Sequence, residues 1–129
     1  MTQRRGSGGP WETRIGYSRS VAVAGHLWVS GCTSVVDGEV AHPGDAQAQA
    51  QVAFANALAA VEDAGFTAGD VVRTRLYVVD VAANGAAVGA VHGAVFAEIR
   101  PASTMVGVSG LLDPDMLVEV EVEAFRVET

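Results

Sequence analysis

Hydrophobic and acidic residues alternate strictly near the end of the chain, from Leu117 to Val127. The even-numbered positions are the apolar residues Val118, Val120, Val122 and Ala124. The odd-numbered positions between them are the acidic residues Glu119, Glu121 and Glu123. Side chains two positions apart in a strand lie on the same face, so the pattern predicts a strand with one apolar face and one acidic face. Its carboxylates would lie roughly 7 Å apart and repel one another. The acidic face is therefore either solvated or part of a subunit interface that contains a site.

Two segments show the apolar spacing of amphipathic helices. The first follows Asp45, a candidate N-cap, ends before Gly65 and carries the stripe Ala50, Ala53, Phe54, Ala57, Leu58 and Val61. Its polar face would hold Gln49, Gln51 and Asn56. The second runs from about Ala82 to Ile99 with the stripe Val88, Val91, His92, Val95, Phe96 and Ile99. Gly85, Gly89 and Gly93 recur along this helix, which predicts close packing against a sheet.

Four further segments have the composition of strands. Tyr17–Ala24 and His26–Cys32 form a predicted hairpin about Gly25, and residues 71–80 and 103–109 each alternate. Asp37-Gly38 is a second hairpin signal, expected to extend the sheet edge. The element order β-β-(β)-α-β-α-β-β predicts an α+β domain with two layers. In it, two helices cover one face of a mixed sheet of about five to six strands.

The parity of the last three strands predicts what lies on the uncovered face of this sheet. If the most apolar parity of each strand lies under the helices, the open face carries Arg73, Arg75, Tyr77, Ser103, Met105 and the three glutamates. A monomer would leave Tyr77, Met105 and Phe125 in water. The pattern therefore favours an oligomer that buries part of this face and pairs arginines with glutamates.

Composition and charge disfavour several classes of function. The 129 residues suffice for one domain, predicted over residues 11–129 after a flexible, glycine-rich segment 1–10. The net charge is −7 and the cations are scattered arginines, which disfavours nucleic-acid binding. There is no apolar run long enough for a membrane span and no secretory signal at the start. The only cysteine, Cys32, fits a reducing compartment such as the cytoplasm.

Motif searches give no cofactor signature. Cysteine and histidine are too sparse for a zinc site, and the phosphate-binding, dinucleotide-binding and nucleophile-elbow glycine motifs do not occur. The sequence therefore predicts neither a metal nor an organic cofactor.

The element order, the segment RTRLYVVD and the segment RPASTMVGVSGLLDPDMLVEVEVEAF together resemble the YjgF/Rid family of reactive-intermediate deaminases. The resemblance extends from about Trp11 to Val127. It implies a chorismate-mutase-like fold and a homotrimer with sites in the clefts between subunits. It also implies cofactor-free hydrolysis of enamines and imines such as 2-aminoacrylate to a 2-keto acid and ammonia.

The resemblance assigns roles to individual positions. Glu121 matches the catalytic carboxylate that positions the attacking water, Tyr17 the tyrosine that lines the cleft, and Ser30-Gly31 the small pair after the second strand. Ser103 stands where active deaminases carry the arginine that pairs with the substrate carboxylate. Similarly, Gly89 replaces an asparagine and Met105 a cysteine found in many deaminases. Two hypotheses follow: an enzyme acting on imines or enamines without the usual carboxylate clamp, or a non-catalytic module that binds a small metabolite.

Four other residues have both a functional and a structural interpretation. Arg75 could replace the missing substrate anchor or form an ion pair with a glutamate, and Arg19 is its competitor as anchor. His92 could line the cleft as a proton donor or simply pack in the core or an interface. Cys32 could be a reactive thiol or a small buried side chain. The predicted substrate-binding set is Tyr17, Ser30, Gly31, Arg75, His92 and Ser103.

Overall fold

The computed structural model describes residues 1–127 and contains one main sheet, a small hairpin and three α-helices. The elements are β1 (Gln3–Arg5), α1 (Pro10–Ile15), β2 (Ser20–Val23), β3 (His26–Cys32), β4 (Val35–Val36), β5 (Glu39–Val40), α2 (Ala46–Asp63), β6 (Val71–Val79), α3 (Val81–Phe96), β7 (Ala102–Val108) and β8 (Val118–Phe125). A single 3₁₀ turn, Ala68–Asp70, precedes β6. The main sheet has six strands in the order β1-β2-β3-β8-β6-β7.

The predicted last strand, β8, lies inside this sheet, antiparallel to both β3 and β6. Its valines are buried and its glutamates are half-buried, as the alternation predicts. The edge pair β6–β7 is parallel, which makes the sheet mixed. The apolar face packs against α2 and α3, so the predicted α+β two-layer fold is confirmed.

Helix α2 begins and ends where its signals predict. The Asp45 carboxylate accepts a hydrogen bond from the Ala48 N–H at 3.0 Å, and Gly65 follows the helix with φ +87°. The prediction for Gln49 was wrong, because this side chain is fully buried. Its amide donates to the carbonyls of His42 and Asp115 and accepts from the Leu117 N–H. A polar residue can occupy this core position because all its hydrogen-bonding groups have partners.

Helix α3 packs closely over β7, as its glycines predict. A Cβ on Gly85 would lie 3.4 Å from the Met105 sulfur, and one on Gly89 would lie 3.8 Å from the Met105 methyl group. Gly93 has no such neighbour within 4 Å. Two of the three glycines therefore serve the close approach of helix and strand.

The prediction for the two faces of β7 was wrong. Ser103 lies beside Thr74 and Met105 beside Leu76, so both face the helices, while Thr104 and Val106 lie on the open face. Val106 is 42% exposed there. In this strand the more apolar set of alternate positions is not the set that lies under the helices. The reason is that the close approach of α3 requires small or flexible side chains beneath it. Gly107 shows the same constraint, since a Cβ on it would lie 2.6 Å from a Val81 methyl group.

Four smaller differences concern a hairpin, the start of β6 and the first residues. The Asp37-Gly38 hairpin forms, with both residues at positive φ, but β4 and β5 make a separate two-stranded sheet and do not extend the main one. A register shift in β6 puts Val72 in solvent, where parity predicted a core residue. Within the segment expected to be flexible, β1 pairs with β2. The helix α1 that follows was not predicted.

Candidate small-molecule site

A cavity of about 580 Å³ lies at the end of β3. We call it the β3 cavity. Its polar lining includes Glu12, Tyr17, Arg19, Cys32 and Glu119. Its apolar wall includes Trp11, Val35, Ala60, Leu112 and Met116. A volume of this size suits a small organic molecule.

A bulge in β3 and the fold of the first residues shape this cavity. The register between β3 and β8 shifts between Val29 and Cys32, which opens the sheet at Ser30 and Gly31. The segment from Gly6 to Glu12, including the start of α1, forms another part of the wall. Glu12 fixes this segment, because its carboxylate accepts hydrogen bonds from both the N–H and the hydroxyl of Ser7.

Arg19 is the cation of the β3 cavity, and its side chain is only 17% exposed. Its Nη1 donates to the carbonyls of Ser30 and Gly31 at 2.9 and 2.7 Å and also contacts the Cys32 sulfur at 3.2 Å. Its Nη2 donates to the Tyr17 hydroxyl at 3.2 Å. Its Nε lies 3.6 Å from the Glu12 carboxylate. Arg19 therefore holds the bulge of β3, the tyrosine and the first segment together.

Two ionisable groups of the cavity are held in opposite states by their surroundings. Burial opposes ionisation of Glu12, but the hydrogen bonds from Ser7 and the charge of Arg19 outweigh it and lower the Glu12 pKa. Burial also raises the pKa of the Cys32 thiol, and Arg19 offsets this only in part. Glu12 is thus a structural carboxylate, while Cys32 is a protonated, buried thiol and not a reactive thiolate.

Glu119 is the carboxylate that remains available. Its side chain lies against Gly31, where a Cβ would be 2.7 Å from the Glu119 Cδ. Within residues 1–127 its carboxylate makes no hydrogen bond and no ion pair. Burial, followed by the charge of Glu121, raises the Glu119 pKa, and the charge of Arg19 offsets part of the rise. A raised pKa makes a carboxylate a better base and so favours a role in proton transfer.

The predicted catalytic residue, Glu121, lies outside the β3 cavity on the open sheet face. Its carboxylate accepts a 2.6 Å hydrogen bond from the Tyr77 hydroxyl. This acceptor raises the Tyr77 pKa, because ionised tyrosine would lose the bond and repel the carboxylate. On the same face, Arg75 lies 3.8 Å from the Glu123 carboxylate, which agrees with the structural interpretation of Arg75.

His92 and Ser103 belong to a third group, on the helix side of the sheet. The fully buried Thr74 hydroxyl lies 2.8 Å from His92 Nε2 and 2.8 Å from the Ser103 hydroxyl. Burial lowers the His92 pKa. The inference that Ser103 shares a face with Arg75 and Glu121 was wrong, because the β6–β7 register puts it under α3.

Within one chain, the predicted site residues therefore fall into separate groups. Tyr17 and Gly31 line the β3 cavity, and Ser30 lies beside it with its hydroxyl bonded to the Ser18 carbonyl. Sequence reasoning missed Glu12 and Glu119. The alternation signalled Glu119 as clearly as Glu121, but the bulge that selects between them is not visible in the sequence. Among residues 1–127, no three acidic, histidine or cysteine side chains cluster as a metal would require.

Comparison with known proteins shows which family this chain matches. The family described as Endoribonuclease L-PSP matches residues 11–126. The uncharacterized protein SCO2049 of Streptomyces coelicolor is 37% identical over 120 residues, which are 93% of this chain and 89% of that protein.

Solved structures agree with this match. The chain resembles Rv2704 of Mycobacterium tuberculosis, a member of the YjgF/YER057c/UK114 family, with a TM-score of 0.88 and 37% identity over 98% of this chain and all of that one. The YjgF gene product of E. coli gives 0.78 and 34% identity, covering 95% and 93% of the two chains. E. coli TdcF, solved with bound serine, gives 0.78 and 28% identity over the same shares.

The sheet, its two covering helices and these similarities define a YjgF-type fold. The chain belongs to the Endoribonuclease L-PSP family, the same YjgF/Rid family that its sequence resembles.

Proposed function

We propose that this protein binds a small enamine or imine at the β3 cavity and hydrolyses it to a carbonyl compound and ammonia. The product is a keto acid if the substrate carries the carboxylate usual in the family reaction. The observation that carries the proposal is Glu119, a carboxylate without a partner among residues 1–127 at the edge of a cavity of small-molecule size. Its raised pKa supports a role in proton transfer.

The proposed reaction needs one base that also serves as an acid. Ionised Glu119 takes a proton from water while the water oxygen bonds to the carbon of the C=N group. The carboxylic acid then returns the proton to nitrogen, which gives a carbinolamine. Glu119 next takes the proton of the carbinolamine hydroxyl and passes it to nitrogen as the C–N bond breaks, so that ammonia leaves and the carbonyl forms. An enamine first gains a proton at carbon and loses one from nitrogen to give the imine. This sequence consumes water alone and needs no cofactor.

Glu121 keeps its predicted catalytic role only in a second form of this proposal. Tyr77 holds its carboxylate on the open sheet face, where a neighbouring subunit would have to complete a site. In that case Glu121 positions the water. Glu119 lies beside it, and the charge of Glu121 raises the Glu119 pKa. Replacing each glutamate separately distinguishes the two forms.

The proposed assembly is a homotrimer with sites in the clefts between subunits. The support is the open sheet face, where Trp28, Val106 and Phe125 are each more than one-third exposed. A face with such side chains is typical of a subunit interface.

The proposed partner is a small molecule and not RNA, although the family carries an endoribonuclease description. The chain has a net charge of −7, which opposes binding of a polyanion. Among residues 1–127, no helix has the length and hydropathy needed to cross a membrane. The free thiol of Cys32 supports a reducing location, for which we propose the cytoplasm.

A non-catalytic binding module is the second candidate. Two observations favour it: Ser103 takes the place of the family arginine, and Thr74 already engages the Ser103 hydroxyl. TdcF, with its bound serine, is a relative that holds a small molecule. In this candidate the same cavity binds a metabolite without changing it.

An ammonia-release assay tests the proposal. A cystathionine-type lyase supplies 2-aminoacrylate, and an amine oxidase supplies imines without a carboxylate. Acceleration of either hydrolysis, lost in Glu119→Gln and kept in the matched variant Glu123→Gln, supports the enzyme. Loss in Glu121→Gln alone assigns the chemistry to the open face. No acceleration with any substrate, together with measurable ligand binding, establishes the binding module.

A further inference from the structure

We infer that the β3 cavity selects ligands with a cationic or hydrogen-bond-donating nitrogen on an apolar body, and rejects carboxylates. Glu119 is the group that recognises the nitrogen. This inference rests on the proposal that the β3 cavity is the ligand site, and it gives that site a substrate class: amines, and imines that carry no acid group.

The charges of the cavity leave one negative group unmatched. Its charged residues are Glu12, Arg19, Asp63 and Glu119. Arg19 is paired with Glu12, and Asp63 lies 3.9 Å from Arg5, which is outside the cavity. Of these four charged residues, Glu119 alone has no ion pair with any of residues 1–127. The protonated Cys32 thiol adds no charge. A ligand therefore meets one carboxylate without an ion-pair partner, which attracts a cation and repels an anion.

Arg19 does not offer a carboxylate the two parallel N–H groups that bidentate pairing needs. Both Nη1 hydrogens are directed to the carbonyls of Ser30 and Gly31, which lie at 2.9 and 2.7 Å. The Nε edge faces Glu12 at 3.6 Å, and Nη2 donates to Tyr17 at 3.2 Å. An acidic ligand could obtain a bidentate contact only by displacing the bulge carbonyls from Nη1, or Glu12 from the Nε edge. Desolvating the carboxylate without that contact is unfavourable.

The remaining wall fits an apolar body. The apolar residues that line the cavity include Trp11, Val35, Ala60, Leu112 and Met116. Leu112 is 62% exposed and Trp11 36% exposed, so a ligand in the cavity would remove apolar surface of both from water. A cavity with one carboxylate and an apolar wall is complementary to an alkyl or aryl amine.

Three probes of equal size test the inference: benzylamine, benzyl alcohol and benzoate. Their dissociation constants are measured by calorimetry on the full-length protein, on Glu119→Gln and on Glu123→Gln. Glu123 is the matched control, because it is on the same strand and the same face but outside the cavity. Thermal unfolding checks that both variants fold.

We expect the native protein to bind benzylamine at least about tenfold more tightly than benzoate. Glu119→Gln should reduce this ratio about tenfold and leave benzyl alcohol unchanged, whereas Glu123→Gln should keep the native ratio. Equal or tighter binding of benzoate overturns the inference, as does an amine preference that survives in Glu119→Gln. Absence of benzylamine binding at millimolar concentration also overturns it, and this result needs no variant.

The ammonia-release assay fails or succeeds independently of these titrations. Amine-selective binding without hydrolysis of any imine refutes the enzymatic proposal and leaves the inferred selectivity in place. Hydrolysis of 2-aminoacrylate at rates equal to those of carboxylate-free imines refutes the selectivity and leaves the enzyme in place.

Discussion

Glu119 occupies the space in which any side chain at Gly31 would begin, since a Cβ there would lie 2.7 Å from the Glu119 Cδ. The backbone of Gly31 is not at positive φ, so alanine fits its conformation and only the glutamate has to move. Gly31→Ala should therefore turn Glu119 away from the β3 cavity.

We expect Gly31→Ala to lower kcat/KM for imine hydrolysis by about tenfold, with a shift in Tm below about 3 °C. Gly93→Ala is the control, because no side chain or backbone atom outside its helix lies within 4 Å of a Cβ there. That variant should keep full activity and gain about 0.5–1 kcal/mol from its higher helix propensity. An unchanged kcat/KM in Gly31→Ala would show that the position of Glu119 does not matter.

Arg19 should matter for stability and Arg75 should not. Arg19→Lys removes the planar fork that bonds the carbonyls of Ser30 and Gly31 and the Tyr17 hydroxyl. We expect this change to lower the free energy of unfolding by about 2 kcal/mol. Arg75→Lys disturbs a partly exposed ion pair at 3.8 Å and should cost less than about 1 kcal/mol. Urea denaturation of both variants measures the difference, and equal losses would contradict the assignment.

His92 should make stability depend on pH in one direction. Burial lowers its pKa in the folded state below the ordinary value of 6.5. The unfolded chain therefore binds more protons between the two pKa values, and the free energy of unfolding rises with pH across that window. The contribution is complete above about pH 6.5 and is lost as the pH falls through the folded pKa.

Thermal unfolding between pH 8 and pH 5 measures this effect. His92→Gln should flatten the acid side of the profile relative to the native protein, while His42→Asn, at an exposed turn position, should preserve it. A native-like acid slope in His92→Gln would assign the pH dependence to other groups.

The open sheet face should drive assembly. Sedimentation equilibrium of the native protein at micromolar concentration should give three times the chain mass. Val106→Asp, on the open face, should shift the protein toward monomers, because a buried interfacial charge is unfavourable. Val36→Asp is the matched control, since Val36 is 48% exposed on the separate hairpin and Val106 is 42% exposed. A monomeric native protein would refute both the trimer and the shared clefts.

The Thr74 hydroxyl should contribute more to the free energy of unfolding than the Ser103 hydroxyl. Thr74 is fully buried and connects His92 with Ser103, so Thr74→Val leaves a half-buried ring nitrogen without its partner. We expect a loss of about 1–2 kcal/mol in the free energy of unfolding. Ser103→Ala, at an exposed position, should cost less than about 0.5 kcal/mol. A smaller loss for Thr74→Val than for Ser103→Ala would contradict this order.

Local signals were enough for the elements from β2 onward and for their order, but not for β1 and α1. The period of α2, its N-cap at Asp45 and its glycine end at Gly65 all depend on residues within a few turns of one another. The alternation of β8 likewise involves only neighbouring residues. The resemblance found in the sequence gave the family, which the comparisons confirm. These features are carried by short-range spacing, so one sequence determines them.

Only the tertiary structure decided which side chains meet. Ser103 faces the helices because β7 pairs in parallel with β6, and a shift of one residue in that register would reverse its face. Glu119, and not Glu121, lines the β3 cavity because a bulge opens β3 at Gly31. Gln49 is buried because distant carbonyls and an N–H supply its partners. Register, bulges and long-range hydrogen bonds depend on how strands and loops far apart in sequence pack together, and no local pattern records that packing.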